Sequence, residues 1–211
     1  MTATTGERVA APPDPRVAAE LARGRAEGGA DVLCVASIEP SNAQHELVEA
    51  LWAYHRLYDG RARLHLVGRT SSYEYARTLF LFVQDLGLAT AVRMHGEVSG
   101  AARAALYGAA DVYLSLSRPQ AMSAPVLDAM SAGVPVVSRA SEGLGDVATG
   151  GALVLAATDP SYVAAALHRV ITDERLRAVL EAAGRRRAAS PSGNAAADRV
   201  AGAIADAVGP Q

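Results

Sequence analysis

Residues 111–139 read DVYLSLSRPQAMSAPVLDAMSAGVPVVSR, and this stretch decides the fold class. Residues 112–116 and 134–138 are short aliphatic runs of the kind found in buried strands. Residues 124–132 lie between them and have helical spacing of their apolar positions. A strand, a helix and a second strand in this order predict a parallel pair, because parallel strands need a long crossover connection.

The same alternation continues in both directions along the chain. Strands are predicted at 32–38, 63–67, 92–95, 112–116, 134–138 and 152–155. Helices are predicted at 43–58, 72–86, 100–109 and 124–132, several of them closed by a following glycine, namely Gly60, Gly87 and Gly133. This pattern predicts an α/β fold with a doubly wound parallel sheet, Rossmann-like and covered by helices on both faces.

The length of 211 residues is suited to one α/β domain with tails. Residues 1–14 are rich in proline and polar residues, which predicts a flexible N-terminal tail. Residues 15–190 are predicted to form the domain, beginning with a modest helix at 16–28 and closing with C-terminal helices at 161–172 and 173–187. Residues 191–211 are predicted to be a further C-terminal helix, at 194–208, with a tail.

The composition argues against several classes of protein. A formal net charge of -2 offers no general attraction to nucleic acid, so none is expected as a partner. No stretch approaches the roughly 20 apolar residues that span a bilayer, so no integral membrane segment is expected. Without an apolar leader at the start, we expect a cytoplasmic location. Cys34, the one cysteine, lies between Leu33 and Val35 and is expected to be an inert core residue.

Ligands of such sheets bind at the carboxyl ends of the strands, where loops enter helix N-termini. The site is therefore expected after Ile38, Val67, His95, Leu116 and Ser138.

A family resemblance appears within the opening stretch. Asp128-Ala129-Met130 and Gly133-Val134-Pro135-Val136-Val137, with Pro125 before them, resemble the donor-binding motif of retaining family-four glycosyltransferases, the group 1 glycosyl transferases. Further pieces match in the same order, namely residues 37–42, 66–68, 86–88, 92–98 and 150–154. The matching region, from about 30 to 187, is about three quarters of the chain. The resemblance implies a nucleotide-sugar-binding half-domain, the C-terminal half of the GT-B fold.

Several positions of the family's motif are altered in this chain. The resemblance implies that Ser37 and Asn42 stand where the family has an arginine and a lysine that hold the diphosphate. It places Gln120 and Asp128 at the two acidic positions, which address the donor sugar and the ribose; these are the candidate catalytic residues. The family's Gly-Phe-Gly is Ala121-Met122-Ser123, whose side chains hinder a close backbone approach.

The resemblance also gives the candidate donor-binding residues. Gly96 and Val98 are expected to present backbone groups to the base, and His95 to act through packing rather than as a general base. Ser123 is expected to cap the following helix and leave its N–H groups for a phosphate. The full set is Ser37, Asn42, Gly68, Arg69, Gly96, Val98, Arg118, Met122, Ser123, Ala124 and Asp128.

Three arginines follow strands at the expected ligand edge, namely Arg69, Arg118 and Arg139. We hypothesise that Arg118 or Arg69 replaces the lost phosphate cations. The alternative is that each is an ordinary solvated surface residue.

The expected ligand is a GDP- or UDP-linked sugar, bound as a substrate, with no cofactor. No metal is expected, since the sequence has neither an Asp-x-Asp pair nor a His/Cys cluster with ligand spacing. One hypothesis is hexose transfer to an acceptor, with a separate N-terminal half or a homo-oligomer completing the site. A second is a catalytically inactive module that binds a nucleotide, a nucleotide sugar or a partner. A third is an unrelated doubly wound binding domain.

Overall fold

The computed structural model describes residues 15–117, 124–140 and 151–190. The predictions for 1–14 and 191–211, including the helix at 194–208, lie outside the described residues.

Within the described residues the chain forms a six-stranded parallel sheet with strand order β3-β2-β1-β4-β5-β6. This order is that of the doubly wound Rossmann fold, so the predicted fold class is confirmed. The strands are β1 Asp31–Val35, β2 Arg63–Val67, β3 Val92–Gly96, β4 Val112–Ser115, β5 Val136–Arg139 and β6 Ala152–Leu155.

Helices cover both faces of this sheet. The described helices are α1 Pro15–Glu27, α2 Gln44–Leu57, α3 Tyr73–Asp85, α4 Gly100–Ala109, α5 Ala124–Ala132, α6 Pro160–Thr172 and α7 Glu174–Ala188.

The core is divided by the sheet into two layers. Leu64 and Leu66 of β2 pack in the layer that holds α2 and α6, while Leu33 and Val35 of β1 pack in the layer that holds α4 and α5. Burying one Leu or Val side chain stabilises the fold by about 1.5–3 kcal/mol. Cys34 is buried in the first layer, and burial raises the pKa of its thiol to about 12, so its prediction as an inert core residue is confirmed.

Two element boundaries lie more than one residue from the predicted ones, and the other described boundaries agree to within one residue. β1 ends at Val35, since beyond it only Ile38 forms an isolated bridge, to Thr70. β5 begins at Val136, because Pro135 has no N–H for the ladder.

Of the three glycines predicted to close a helix, two do so. Gly133 has φ +76° and Val134 N donates to Ala129 O, which closes α5 with a left-handed residue. Gly87, at φ +71°, closes α3 in the same way. Gly60 has no such conformation, because α2 ends earlier, at Leu57.

Candidate ligand site at the carboxyl edge

The carboxyl edge is the edge of the sheet where the carboxyl ends of the strands meet. β1 pairs with β2 on one side and with β4 on the other, so the winding direction reverses between β1 and β4. A crevice opens at such a switch point, between the loops that leave the two strands. The loop after β1 carries Ser37 and Asn42, and the loop after β4 begins with Leu116 and Ser117.

A neutral hydrogen-bond network joins these two loops. Asn42 Nδ2 donates to Ser37 O at 2.8 Å, and Ser117 Oγ donates to Asn42 Oδ1 at 3.2 Å. Gln44 Nε2 donates to the same Ser37 carbonyl at 2.7 Å. The Asn42 amide therefore connects the loop after β1 to the loop after β4.

The backbone of this loop adopts an unusual conformation at Ala43. Its φ of 52° and ψ of 36° lie in the left-handed region, which costs a residue with a Cβ roughly 1–2 kcal/mol. Ala43 is fully buried, its N–H donates to Pro40 O, and α2 starts directly after it. Strain of this kind at a loop beside a crevice is typical of binding sites.

Arg69 lies next to this loop. Ile38 N donates to Arg69 O at 2.9 Å, which places Arg69 beside the segment that starts at Ser37. The Arg69 side chain is exposed and, within the described residues, forms no hydrogen bond or ion pair. Its guanidinium is therefore accessible to an anion from solvent.

Arg139 is engaged by the protein itself. Its guanidinium pairs with Glu46 and donates to Thr158 Oγ1 at 3.0 Å. It is therefore a weaker candidate than Arg69 for replacing the lost cations, and Arg118 lies outside the described residues.

Two glycines bring the ends of β1, β2 and β3 together. A Cβ at Gly68 would lie 2.2 Å from Ala36 O, so no other residue fits there without a shift. Gly68 N donates to Gly96 O at 2.9 Å. Gly96 has φ +67° and open space where a Cβ would stand, and Val98 beyond it is half-buried. These three predicted positions thus occupy one side of the carboxyl edge.

A buried hydrogen-bond network joins β1, β2 and β3 and ends at His95, the residue before Gly96. The sequence did not predict this network. His65 contacts His95 at 2.9 Å through Nδ1 and Nε2, and contacts Asp31 Oδ1 at 3.0 Å through Nε2. The two imidazoles are stacked, with centroids 5.2 Å apart. His95 thus has a hydrogen-bonding partner, His65, in addition to the packing that the sequence predicted.

The surroundings of this hydrogen-bond network shift the pKa values of His95 and Asp31. Burial lowers the pKa of His95, the nearby His65 and Arg93 add to the effect, and Glu20 opposes it. For Asp31, burial would raise the pKa, but hydrogen bonds from His65 and Arg63 outweigh it and hold the pKa below its ordinary value. Asp31 is thus the ionised end of this hydrogen-bond network, stabilised by His65 and Arg63.

α5 begins at the carboxyl edge with Ala124, which is exposed. Asp128, one turn further, is also exposed and forms no hydrogen bond or ion pair within the described residues. It lies on the side of α4, where burial raises the pKa of Tyr107 and the Asp128 charge adds to this shift. The other predicted positions of this segment lie outside the described residues: Arg118, Gln120, Ala121, Met122 and Ser123.

Cavities occur at both edges of the sheet. An open cavity of about 450 Å³ lies at the carboxyl edge between α2 and the start of α6, lined by Glu46, Arg139 and Asp159 among others. Another of about 460 Å³ lies at the opposite edge, where Arg63 and Arg93 are held by Asp31 and Glu20. Because the two volumes are similar, the expectation of a ligand site at the carboxyl edge depends on the switch point and not on the size of the cavity.

The described side chains form no cluster of three or more His, Cys, Asp or Glu arranged to hold a metal ion. Among the described helices, none combines the length and apolar character needed to cross a membrane.

The sequence matches the family described as Glycosyl transferases group 1 over residues 20–187. Among curated protein sequences, none matches the chain.

Solved structures match the fold at low sequence identity. Anabaena Alr3699/HepE in complex with UDP-glucose matches with a TM-score of 0.71 and 20% identity, over 83% of this chain and 48% of that chain. Trehalose-6-phosphate synthase OtsA matches with a TM-score of 0.72 and 18% identity, over 85% and 44% of the two chains. A glycosyltransferase from Rickettsia africae matches with a TM-score of 0.68 and 17% identity, over 83% and 47%. The chain spans about half the length of these structures.

Proposed function

Since the chain belongs to the glycosyl transferases group 1 family, we propose that it is a donor-binding domain that holds a nucleoside diphosphate sugar at its carboxyl edge. The observation that carries this proposal is the position of Arg69. Its backbone carbonyl accepts the Ile38 N–H beside the loop of Ser37, and its side chain is exposed. Arg69 supplies a positive charge at the place where the diphosphate needs one.

The chemistry of transfer explains why this charge matters. Departure of a nucleoside diphosphate leaves negative charge on its phosphates, which fixed cations and backbone N–H groups stabilise. Ser37 and Asn42 are neutral, and the Asn42 side chain is bound to Ser37 and Ser117. Arg69, aided by the N-terminal turns of the helices at this edge, is the cation of the described residues that we assign to the diphosphate.

We assign the base to the Gly96–Val98 turn and the ribose to Asp128. The open space at Gly96 lets a flat base approach the backbone. Asp128 has no hydrogen-bonding partner among the described residues, and its carboxylate can accept hydrogen bonds from hydroxyl groups. The first donor to test is UDP-glucose, because the similar HepE structure contains it; GDP-glucose is the second.

The experiment is a calorimetric titration of the whole chain with UDP-glucose, GDP-glucose and ADP-glucose. Arg69→Ala should weaken binding about tenfold, the value of one charge-assisted contact. Arg61→Ala is the matched control, because Arg61 is an exposed arginine at the opposite edge, paired with Asp59. Unchanged affinity in Arg69→Ala refutes the role of Arg69, and binding of none of the three compounds refutes donor binding altogether.

For catalysis, we propose hexose transfer in which a second half, from a separate chain or from a longer protein, supplies the acceptor side. The cytoplasmic location and the homo-oligomer expected from the sequence stay predictions.

A catalytically inactive binding module is the second candidate function. It is favoured by the neutral network at Asn42, since the loss of one preorganised donor at a developing anion costs about 10²–10³ in rate. Donor hydrolysis measured beside the titration separates the two candidates. Binding with hydrolysis supports the transferase, and binding without it supports the module.

A further inference from the structure

The buried histidine pair is placed by an irregularity in β3. Leu66 pairs with Met94, but the next pair joins Val67 to Gly96, so His95 is an extra residue in the ladder. Such bulges re-aim side chains and occur near binding sites. Here the bulge accompanies a His95 ring that is stacked on His65, almost fully removed from solvent.

The partners of the pair fix its protons. The Asp31 carboxylate only accepts, so His65 Nε2 carries a hydrogen, and in the neutral ring His65 Nδ1 is then an acceptor. His95 Nε2 must then donate to that acceptor across 2.9 Å. The other ring nitrogen, His95 Nδ1, lies 4.0 Å from Glu20 Oε2 of α1.

The pair is connected to the proposed donor site through the backbone. His95 immediately precedes Gly96, whose carbonyl accepts the Gly68 N–H. Gly68 in turn presses against Ala36 O, at the end of β1. A displacement of the His95 ring therefore moves the turn to which we assign the nucleotide base.

We propose that His65 and His95 are positioning residues that hold the Gly96–Val98 turn in its donor-binding conformation, and that acid releases this turn. The proposal rests on the proposed function. Once both rings are protonated, the facing nitrogens, His65 Nδ1 and His95 Nε2, each carry a hydrogen. Their hydrogen bond is then lost, and the two cationic rings repel each other.

The charged groups around the pair determine how its protonation responds to acid. Among described side chains, Asp31 and Arg63 face the His65 end from β1 and β2, while Glu20 of α1 and Arg93 of β3 face His95. Burial and the neighbouring positive groups lower the pKa of His95, so its ring is neutral at neutral pH and the pair gains charge only on acidification.

The test measures affinity for UDP-glucose, GDP-glucose and ADP-glucose between about pH 5 and pH 8, the range in which histidine titrates. Sugar nucleotides are used because a terminal phosphate itself titrates near pH ~6, whereas their phosphates are diesters. The parent chain should bind about tenfold more weakly at the acid end, the equivalent of roughly one hydrogen bond.

His95→Gln is the informative variant, because its amide can donate to His65 but does not titrate. It should bind as the parent does at the alkaline end and lose most of the pH dependence. His55→Gln is the matched control, since His55 contacts Ala62 O at the opposite edge; it should keep the parent's profile. A parent affinity that ignores pH, or a profile unchanged in His95→Gln, overturns the proposal.

If His95→Gln does not fold, the parent chain still decides the matter by nuclear magnetic resonance. The nitrogen shifts of His95 and the amide of Gly96 should titrate with one midpoint, and independent midpoints overturn the proposal. Failure of every sugar nucleotide to bind at any pH refutes the proposed function and this inference with it. Binding without pH dependence refutes the inference alone.

Discussion

Asn42 shows how one residue changes the chemistry of the edge. Its amide connects Ser37 O to Ser117 Oγ, so the two loops of the crevice are joined by neutral groups. A lysine in its place would have the opposite effect: it would loosen the loop but deliver a charge to the crevice.

We therefore expect Asn42→Lys to raise the affinity for UDP-glucose by about tenfold, because a charge-assisted contact outweighs the neutral bonds it replaces. The measurement is calorimetric titration at two salt concentrations, since an added ion pair is screened by salt. Asn42→Met is the control, because it lengthens the side chain without charge and should not gain affinity. Equal affinities in the lysine and methionine variants would show that no phosphate reaches this position.

His95 should also leave a signature in the free energy of unfolding. Its folded pKa lies below the unfolded value of 6.5, so the unfolded chain binds more protons as the pH falls through that value. Its contribution is thus complete above about pH 6.5 and declines on acidification below it.

Urea denaturation at a series of pH values measures this decline. In His95→Gln the decline should be shallower, while His55→Gln should follow the parent. Parallel curves for the parent and His95→Gln would mean that other groups cause the acid sensitivity.

Residue identities could be predicted only where one position acts alone. Arg69 is a candidate because of its place after a strand, and Gly68 because of the family motif, and their roles at the site stay predictions. The Asp31–His65–His95 chain was missed because its members are about 30 residues apart in the sequence, and only the register of β1, β2 and β3 brings them together.

At the scale of elements, the cap of α4 connects stability to the site. Ser99 Oγ accepts the Ala102 N–H at 3.1 Å and fixes the first turn of α4, directly after Val98. Ser99→Ala should lower the free energy of unfolding by about 1 kcal/mol, because an N–H of that turn loses its partner.

Chemical denaturation measures the loss, and Ser99→Asp is the control that keeps an acceptor at the cap. The aspartate variant should be as stable as the parent. If both substitutions cost the same, crowding at this position rather than the cap explains the effect.

Element types were predictable because β-branched runs and helical spacing alternate without ambiguity from residue 31 to 188. The ends of the strands were less predictable than their presence. The predicted strand continues to Ile38, but the regular ladder of β1 ends at Val35; Gly68 of the neighbouring segment has φ +149°, and beyond it only an isolated bridge joins Ile38 to Thr70. Hydropathy reports burial, whereas a strand end depends on the backbone of the neighbouring strand.

At the scale of the molecule, the described residues form a doubly wound sheet whose carboxyl edge is the proposed donor site. Family motifs in the right order predicted this fold correctly even though single residues of the motifs are replaced. Packing of Val, Leu and Ala layers tolerates such replacements, because it depends on volume and spacing rather than on particular polar groups.

The chain alone should therefore bind a donor sugar nucleotide but transfer little. Transfer needs an acceptor held against the donor sugar, and the fold that matches these solved structures covers about half of their length. Positioning two reactants together contributes roughly 7–11 kcal/mol to such reactions, which a single wall does not supply. We expect slow donor hydrolysis at most, measured as release of free UDP or GDP. Sugar transfer to added acceptors at ordinary enzymatic rates, about 1–10³ s⁻¹, would show that this domain completes its own site, for instance by pairing with a second copy.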